Sequence, residues 1–272
     1  MAAWSAAHQR EGITIGLVPT MGALHAGHRA LIRTARLSCD AVVVSLFVNP
    51  AQFGPGEDFA RYPRTPASDA AVCRKEGVDV LFAPPVGEIY PDGFRTLVEV
   101  PSLARRWEGE RRPGHFAGVA TVVTKLLALV RPAVAVFGQK DYQQAALIKR
   151  LVEDLNLGAR VVVYPTVREA DGLALSSRNV YLTPAQRRAA PVLFRSLHAG
   201  RLAVRAGIRS GTGIQRAMRK ALSTEPMARP EYLAVCDPDT LEPLQRVRHR
   251  AVLLGAIRIG RIRLIDNLLV KR

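Results

Sequence analysis

Apolar positions fall into two textures along this chain. Up to about residue 166, short runs of consecutive apolar and β-branched residues alternate with longer stretches of helical spacing. Residues 13–18 (ITIGLV) and 41–48 (AVVVSLFV) are continuous apolar runs, as expected of strands buried on both faces. Between them AGHRALIRTAR has the three-and-four spacing of an amphipathic helix. The alternation continues. ASDAAVCRKEG reads as a helix ending at Gly77, before the strand VDVLFAP. FAGVATVVTKLLALV is a mostly apolar helix before the strand AVAVFG. DYQQAALIKRLVEDL is a helix with Asp141 placed as its cap, and ARVVVYP closes the series. Strands and helices in this order predict an α/β fold, a Rossmann-like parallel sheet flanked by helices.

After Thr166 the pattern changes. VREADGLALSSRNVYL is polar and loop-like, and two basic helical stretches follow. The closing segments, EYLAVCD and AVLLGAIRIGRIRLIDN, suggest short antiparallel strands. A boundary is therefore expected near 166 and 167, with a parallel-sheet domain over 1–166 and a smaller α+β domain over 167–272. The Gly- and Pro-rich stretch NPAQFGPGEDFARYPRTP inside the first domain reads as a long functional loop.

Composition narrows the class. At 272 residues, 48% hydrophobic and 23% charged, the chain is globular and long enough for one large or two smaller domains. No apolar run approaches the ~18 residues of a membrane span, and the opening MAAWSAAHQREG lacks the pattern of a secretory leader. Cys39, Cys73 and Cys236 are far apart and form no CxxC pair, which fits unpaired thiols in a reducing cytoplasm. The net charge is +16, and residues 186–272 hold 18 Lys or Arg against six Asp or Glu, so +12 of it lies there. Such a surface attracts phosphorylated ligands or nucleic acid. The arginines, however, are scattered along helical segments without interleaved aromatics, which favours a solvated face and a small phosphorylated ligand over nucleic acid.

The chain has no GxxxxGK[ST] and no GxGxxG after its first strand, so a phosphate needs another cradle. PTMGALHAGH, residues 19–28, offers one. With a helix starting near Ala26, His25 and His28 sit at its first turn, where unpaired backbone N–H groups and the helix dipole favour an anion. Gly22 and Gly27 allow close approach, and imidazole donates to phosphate oxygens or passes a proton to a leaving oxygen. A metal reading is weaker, because no third ligand lies nearby in sequence. Lys140 follows the strand AVAVFG, with Asp141 and Gln144 beyond it, and is one of only six lysines against 33 arginines. LSSRN at 175–179 adds two hydroxyls and an arginine on a loop. A lone histidine pair, a loop lysine and a serine turn are each more often structural. Their combination carries the argument.

Together with SLFVNPAQF, YPRT, HFAGV, FGQKDYQQ, PTVREADGLALSSRN and RLIDN, this segment resembles the pantothenate synthetase family of the HIGH-motif nucleotidyltransferase superfamily. The resemblance runs in order over nearly the whole chain. It implies an ATP-dependent ligase that joins (R)-pantoate to β-alanine through a pantoyl adenylate, releasing AMP and diphosphate. Such chemistry asks for in-line positioning and charge neutralisation rather than a protein nucleophile.

The family pattern implies that ATP is bound by Met21, Gly22, Ala23, Leu24, His25, Ala26, Gly27 and His28, by Gly138, Gln139, Lys140 and Asp141, and by Val167, Leu175, Ser176, Ser177 and Arg178. His28 matches the proton donor and His25 its companion, with Lys140 and Arg178 stabilising phosphate charge. Gln52 and Gln144 match the glutamines that hold pantoate. Met21 and Phe53 are candidates to pack its methyl groups, and Asn49 and Tyr62 are further pocket candidates. Mg2+ is implied with ATP, but Ser68 stands where an acid is common and only Asp69 remains, so its protein ligand stays open. Gln139 stands where many relatives have Glu. The resemblance further implies a homodimer in the cytoplasm and a second domain that acts as a lid, with no nucleic-acid or membrane partner. Another small-molecule adenylyltransferase on the same scaffold, or a basic RNA-binding protein, is the alternative.

Overall fold

The computed structural model describes all residues, Met1–Arg272. They divide into two compact units, one of residues 1–139 and 143–165, the other of residues 140–142 and 166–272. In the first unit α1 (Ala2–Arg10) precedes β1 (Ile15–Thr20), α2 (Ala26–Arg36) and β2 (Ala41–Leu46). After a loop with two 3-10 turns come α3 (Pro66–Lys75), β3 (Val80–Phe82), and three single-turn helices, α4 (Val86–Ile89), α5 (Pro101–Ala104) and α6 (Glu108–Arg111). The long α7 (His115–Val130), β4 (Val134–Gly138), α8 (Tyr142–Asp154) and β5 (Arg160–Tyr164) follow.

The five strands form one parallel sheet in the order β3-β2-β1-β4-β5. Leu17, Val18, Val42, Val43, Val44, Ala135 and Val136 are fully buried, which is why these strands read as unbroken apolar runs. On one face α2 packs Ile32 and Ala35 against Val18, Val42 and Val134. Strand order reverses between β1 and β4, and ligands of open α/β sheets bind at such a switch point, beyond the strands' carboxyl ends. The segments that leave those ends begin at Met21 and Gln139.

The second unit holds α9 (Pro184–Ala189), α10 (Val192–Arg205), α11 (Gly211–Leu222), β6 (Ala228–Cys236), β7 (Arg250–Ile259) and β8 (Ile262–Lys271). Its three strands pair antiparallel in the order β6-β7-β8, and α10 and α11 pack Leu193, Leu197, Ile214 and Met218 with Leu253 and Ile257 in its core. These strands are not short. β7 and β8 pair from Arg250↔Lys271 to Ile259↔Ile262, closed by the two-residue turn Gly260–Arg261 with Gly260 at φ +60°. A glycine at the first turn position with positive φ suits a tight hairpin and lets the pairing run to its end. Three helices stand where the spacing predicted two basic stretches, because Pro191 sits between α9 and α10.

Candidate active site

β1 ends in Thr20, whose hydroxyl donates to the Ser45 carbonyl at 2.7 Å and accepts from Gly22 N–H at 3.3 Å. The chain then turns through Gly22 at φ +89° and Ala23 at φ +51°. A Cβ on Gly22 would lie 2.9 Å from Leu46 Cδ1 and 3.1 Å from Asp69 Oδ2, so this position needs glycine for both conformation and space. Asp69, on α3 and 1% exposed, receives Leu24 N–H on Oδ1 at 2.7 Å and Ala23 N–H on Oδ2 at 3.0 Å. Thr65 Oγ1 donates to the same Oδ2 at 3.2 Å.

His25 is the N-cap of α2, in extended conformation, and its Nδ1 accepts Gly27 N–H at 3.1 Å. His28 reciprocates, its Nδ1 accepting His25 N–H at 3.3 Å. The rings lie 4.1 Å apart. An accepting ring nitrogen carries no proton, so each neutral imidazole holds its proton on Nε2. The cap thus fixes the tautomer and makes both Nε2 atoms donors, beside a helix terminus that favours negative charge. Farther along α2, Arg29 and Arg33 both pair with Glu76 just beyond α3, at 2.6 and 2.7 Å, which ties the two helices together.

A second cluster surrounds Gln52. Asn49 donates to Gln52 Oε1 at 3.1 Å and to the Gly118 carbonyl at 3.0 Å. Its own Oδ1 accepts from Ala51 N–H and from Tyr90 Oη, at 3.2 and 2.8 Å. That fills the bonding capacity of Asn49, so it organises the pocket loop rather than offering free groups to a ligand. The Gln52 amide reaches Met21 Sδ at 3.0 Å, which links this cluster to the turn after β1. The Gln52 carbonyl accepts from His115 Nδ1 at 2.8 Å and from Arg112 at 3.3 Å. Arg112 Nη1 meets His115 Nε2 at 3.0 Å and holds Glu57 through two bonds of 2.6 and 2.7 Å. Burial first, then the Arg112 charge, pushes the His115 pKa down to about 4, so this ring is neutral and accepts the arginine proton. Burial acts to raise the Glu57 carboxyl, but the Arg112 hydrogen bond and charge hold it below the usual range.

Gln144 is half-buried on α8, whereas Gln143 beside it is buried and donates to the Leu103 and Arg106 carbonyls at 2.7 and 2.9 Å. Gly138 ends β4, Gln139 follows it, and a Cβ on Gly138 would meet nothing within 4 Å. Asp141 closes a 3-10 turn, Gln139–Asp141, that leads into α8, and its carboxylate lies 3.7 Å from Lys140 Nζ. In the second unit Leu175 N–H donates to the Val167 carbonyl at 3.0 Å, so these two candidates are neighbours. Ser176 caps the 3-10 turn Ser177–Tyr181, its hydroxyl accepting Arg178 N–H at 3.3 Å. Within the first unit the fold therefore brings Met21 into contact with Gln52, and the second unit pairs Val167 with Leu175.

Asp69 is spent on the loop, and Ser68 is exposed. No group of three His, Cys, Asp or Glu side chains comes together as a metal centre. The carboxylate that the sequence left open for magnesium is thus an anchor for the backbone of the turn after β1. Asp69 as anchor, the His115–Arg112–Glu57 relay and Tyr90 were not legible beforehand. HFAGV contains His115, but nothing in that motif names its partners.

A parallel sheet whose first strand leads into an imidazole-capped helix, at the point where strand order reverses, defines an α/β protein built to receive an anionic ligand. Comparison narrows the class: the family described as Pantoate-beta-alanine ligase matches residues 1–269, and this chain belongs to it. Similar proteins include the pantothenate synthetase of Moorella thermoacetica, 53% identical over 98% of this chain and 94% of that one. The crystal structure of the Thermus thermophilus pantothenate synthetase has a TM-score of 0.92 at 53% identity, covering 94% of this chain and 92% of that one. The Francisella tularensis pantoate-beta-alanine ligase, complexed with beta-gamma ATP and β-alanine, has a TM-score of 0.80 at 36% identity, covering 98% and 94%. No helix is long and apolar enough to cross a membrane.

Proposed function

We propose that this chain condenses (R)-pantoate with β-alanine at the expense of ATP, giving pantothenate, AMP and diphosphate. Membership of the family over residues 1–269 supports the substrates, and the His25–His28 cap is the observation that carries the chemistry. A pantoate carboxylate oxygen attacks the α-phosphorus, the bond to the bridging oxygen breaks, and diphosphate leaves. The β-alanine amine then attacks the acyl carbon, the bond to AMP breaks, and the amine loses a proton. Nε2–H of His28 donates to the triphosphate oxygen on which charge develops, and His25 donates beside it. Met21 through His28, Gly138 to Asp141, Val167 and Leu175 to Arg178 bind ATP, with Lys140 and Arg178 as the charges. Gln52, set by Asn49 and the His115 relay, and Gln144 bind pantoate.

Magnesium enters with ATP as part of the substrate complex, since this ion keeps several waters and suits phosphate oxygens. A homodimer in the cytoplasm belongs to the same reading, as does a second domain, 167–272, that closes as a lid and keeps water from the adenylate. The deciding experiment is a coupled assay in which AMP appears only with pantoate, β-alanine, ATP and Mg2+ together. Lys140→Ala should abolish diphosphate release at an unchanged melting temperature. Wild-type release from that variant would remove Lys140 from the mechanism.

A further inference from the structure

RLIDN, near the end of the chain, takes no part in the chemistry above, yet it carries a densely bonded polar cluster of the second unit. Asp266 and Asn267 are consecutive on β8, and both are buried, at 5% and 1% exposed. The Asp266 carboxylate receives both terminal nitrogens of Arg168, at 2.6 and 2.9 Å, and Asn267 N–H at 2.8 Å. Arg168 also donates to the Gly172 and Asn267 carbonyls, at 3.0 and 3.3 Å, and lies over the Phe194 ring at 4.1 Å. A guanidinium held on a carboxylate fork and an aromatic face has little freedom left. What this rigid group supports is Asn267, whose Nδ2 donates to the Lys140 carbonyl at 2.9 Å. Two residues on, Tyr142 Oη donates to the Pro238 carbonyl at 3.0 Å. Both bonds involve residues 140–142, which lead from β4 into the first residue of α8 but belong to the second unit.

We propose that Asn267 is a positioning residue for Lys140, with the Arg168–Asp266 pair as its fixed support. A hydrogen bond to the lysine's own carbonyl sets the backbone from which the ammonium projects. It thereby sets where that charge stands when a triphosphate arrives, at no cost of ordering in the bound state. The proposal rests on the assignment of Lys140 to the triphosphate.

The test is a double-mutant cycle on the full chain, read by calorimetric binding of α,β-methylene ATP with Mg2+. Asn267→Leu keeps the branching at Cγ and removes the donor. Expected are a 5- to 30-fold weaker analogue affinity with Lys140 present and less than a twofold change in the Lys140→Ala background. Pantoate affinity should be unaltered. Asn267→Gln, which keeps a donor on a longer arm, should recover part of the loss. Asn267→Ala, which also lacks the donor, serves as the cycle's variant if the leucine protein does not fold. Equal losses in both backgrounds, or no loss in either, overturn the positioning role while leaving Lys140 its place. If Lys140→Ala alone binds the analogue like the parent, the lysine assignment fails first and the positioning role with it.

Discussion

Asp69 grips Leu24 across 45 residues of chain, its Oδ1 receiving the Leu24 backbone N–H at 2.7 Å. The other oxygen takes Ala23, so a single buried carboxylate closes the turn that delivers His25 and His28. Asp69→Asn replaces one accepting oxygen with a donor facing an N–H. The unmet bond costs about 1–3 kcal/mol of stability. It also lets the turn relax, and kcat/KM for ATP should fall on the order of 10- to 100-fold. The magnesium concentration giving half-maximal rate should stay where it was. A marked rise in that concentration would make Asp69 a metal ligand instead.

The reciprocal cap fixes the tautomers of two histidines, and that is directly observable. Long-range nitrogen NMR at neutral pH should show protonated Nε2 and unprotonated Nδ1 for both His25 and His28. His28→Ala removes the proposed donor and should slow diphosphate release by about 100-fold or more. A variant within threefold of the parent would assign proton transfer elsewhere.

His115 makes stability depend on acid. Its pKa stands near 4 in the fold against 6.5 for a free imidazole, because burial and Arg112 disfavour the charged form. Between those values the unfolded chain binds a proton that the folded one refuses, so stability falls as pH drops through this window. The loss attributable to His115 is about 3 kcal/mol from pH 7 to pH 4. Denaturant unfolding across that range should show it, and His115→Gln should flatten the slope while being less stable at pH 7. An unchanged slope would mean that the ring is not the group that titrates.

Gly118 is where α7 meets the turn that carries Gln52. A Cβ there would stand 2.2 Å from the Ala51 carbonyl oxygen and 2.7 Å from Gln52 N, both backbone atoms that cannot swing aside. Gly118→Ala should cost about 1–3 kcal/mol through forced displacement and raise KM for pantoate more than KM for ATP. Measured together, equal rises in the two constants would contradict Gln52 as a pantoate group.

A few of the arginines that stood out in sequence are paired locally. In the second unit Arg168 pairs with Asp266, Arg187 with Glu169 and Asp171, and Arg258 and Arg263 with Glu231. The net excess of +12 over residues 186–272 already counts the acids there, so most of it stays available to attract a phosphorylated ligand.

What the sequence determined by itself was local. Period and apolar runs set the order of strands and helices, and the His25–Gly27 and His25–His28 bonds join residues two and three apart, so the motif contains its own geometry. Tertiary structure alone decided the partners: Asp69 for Leu24, His115 for Gln52 and Asn267 for Lys140, at separations of 45, 63 and 127 residues. Periodicity shows which face of an element is buried, but not which element packs against it. A polar side chain at 1% exposure, such as Asp69 or Asn267, looks in sequence like any surface aspartate or asparagine until the fold removes its water and leaves one backbone group in reach.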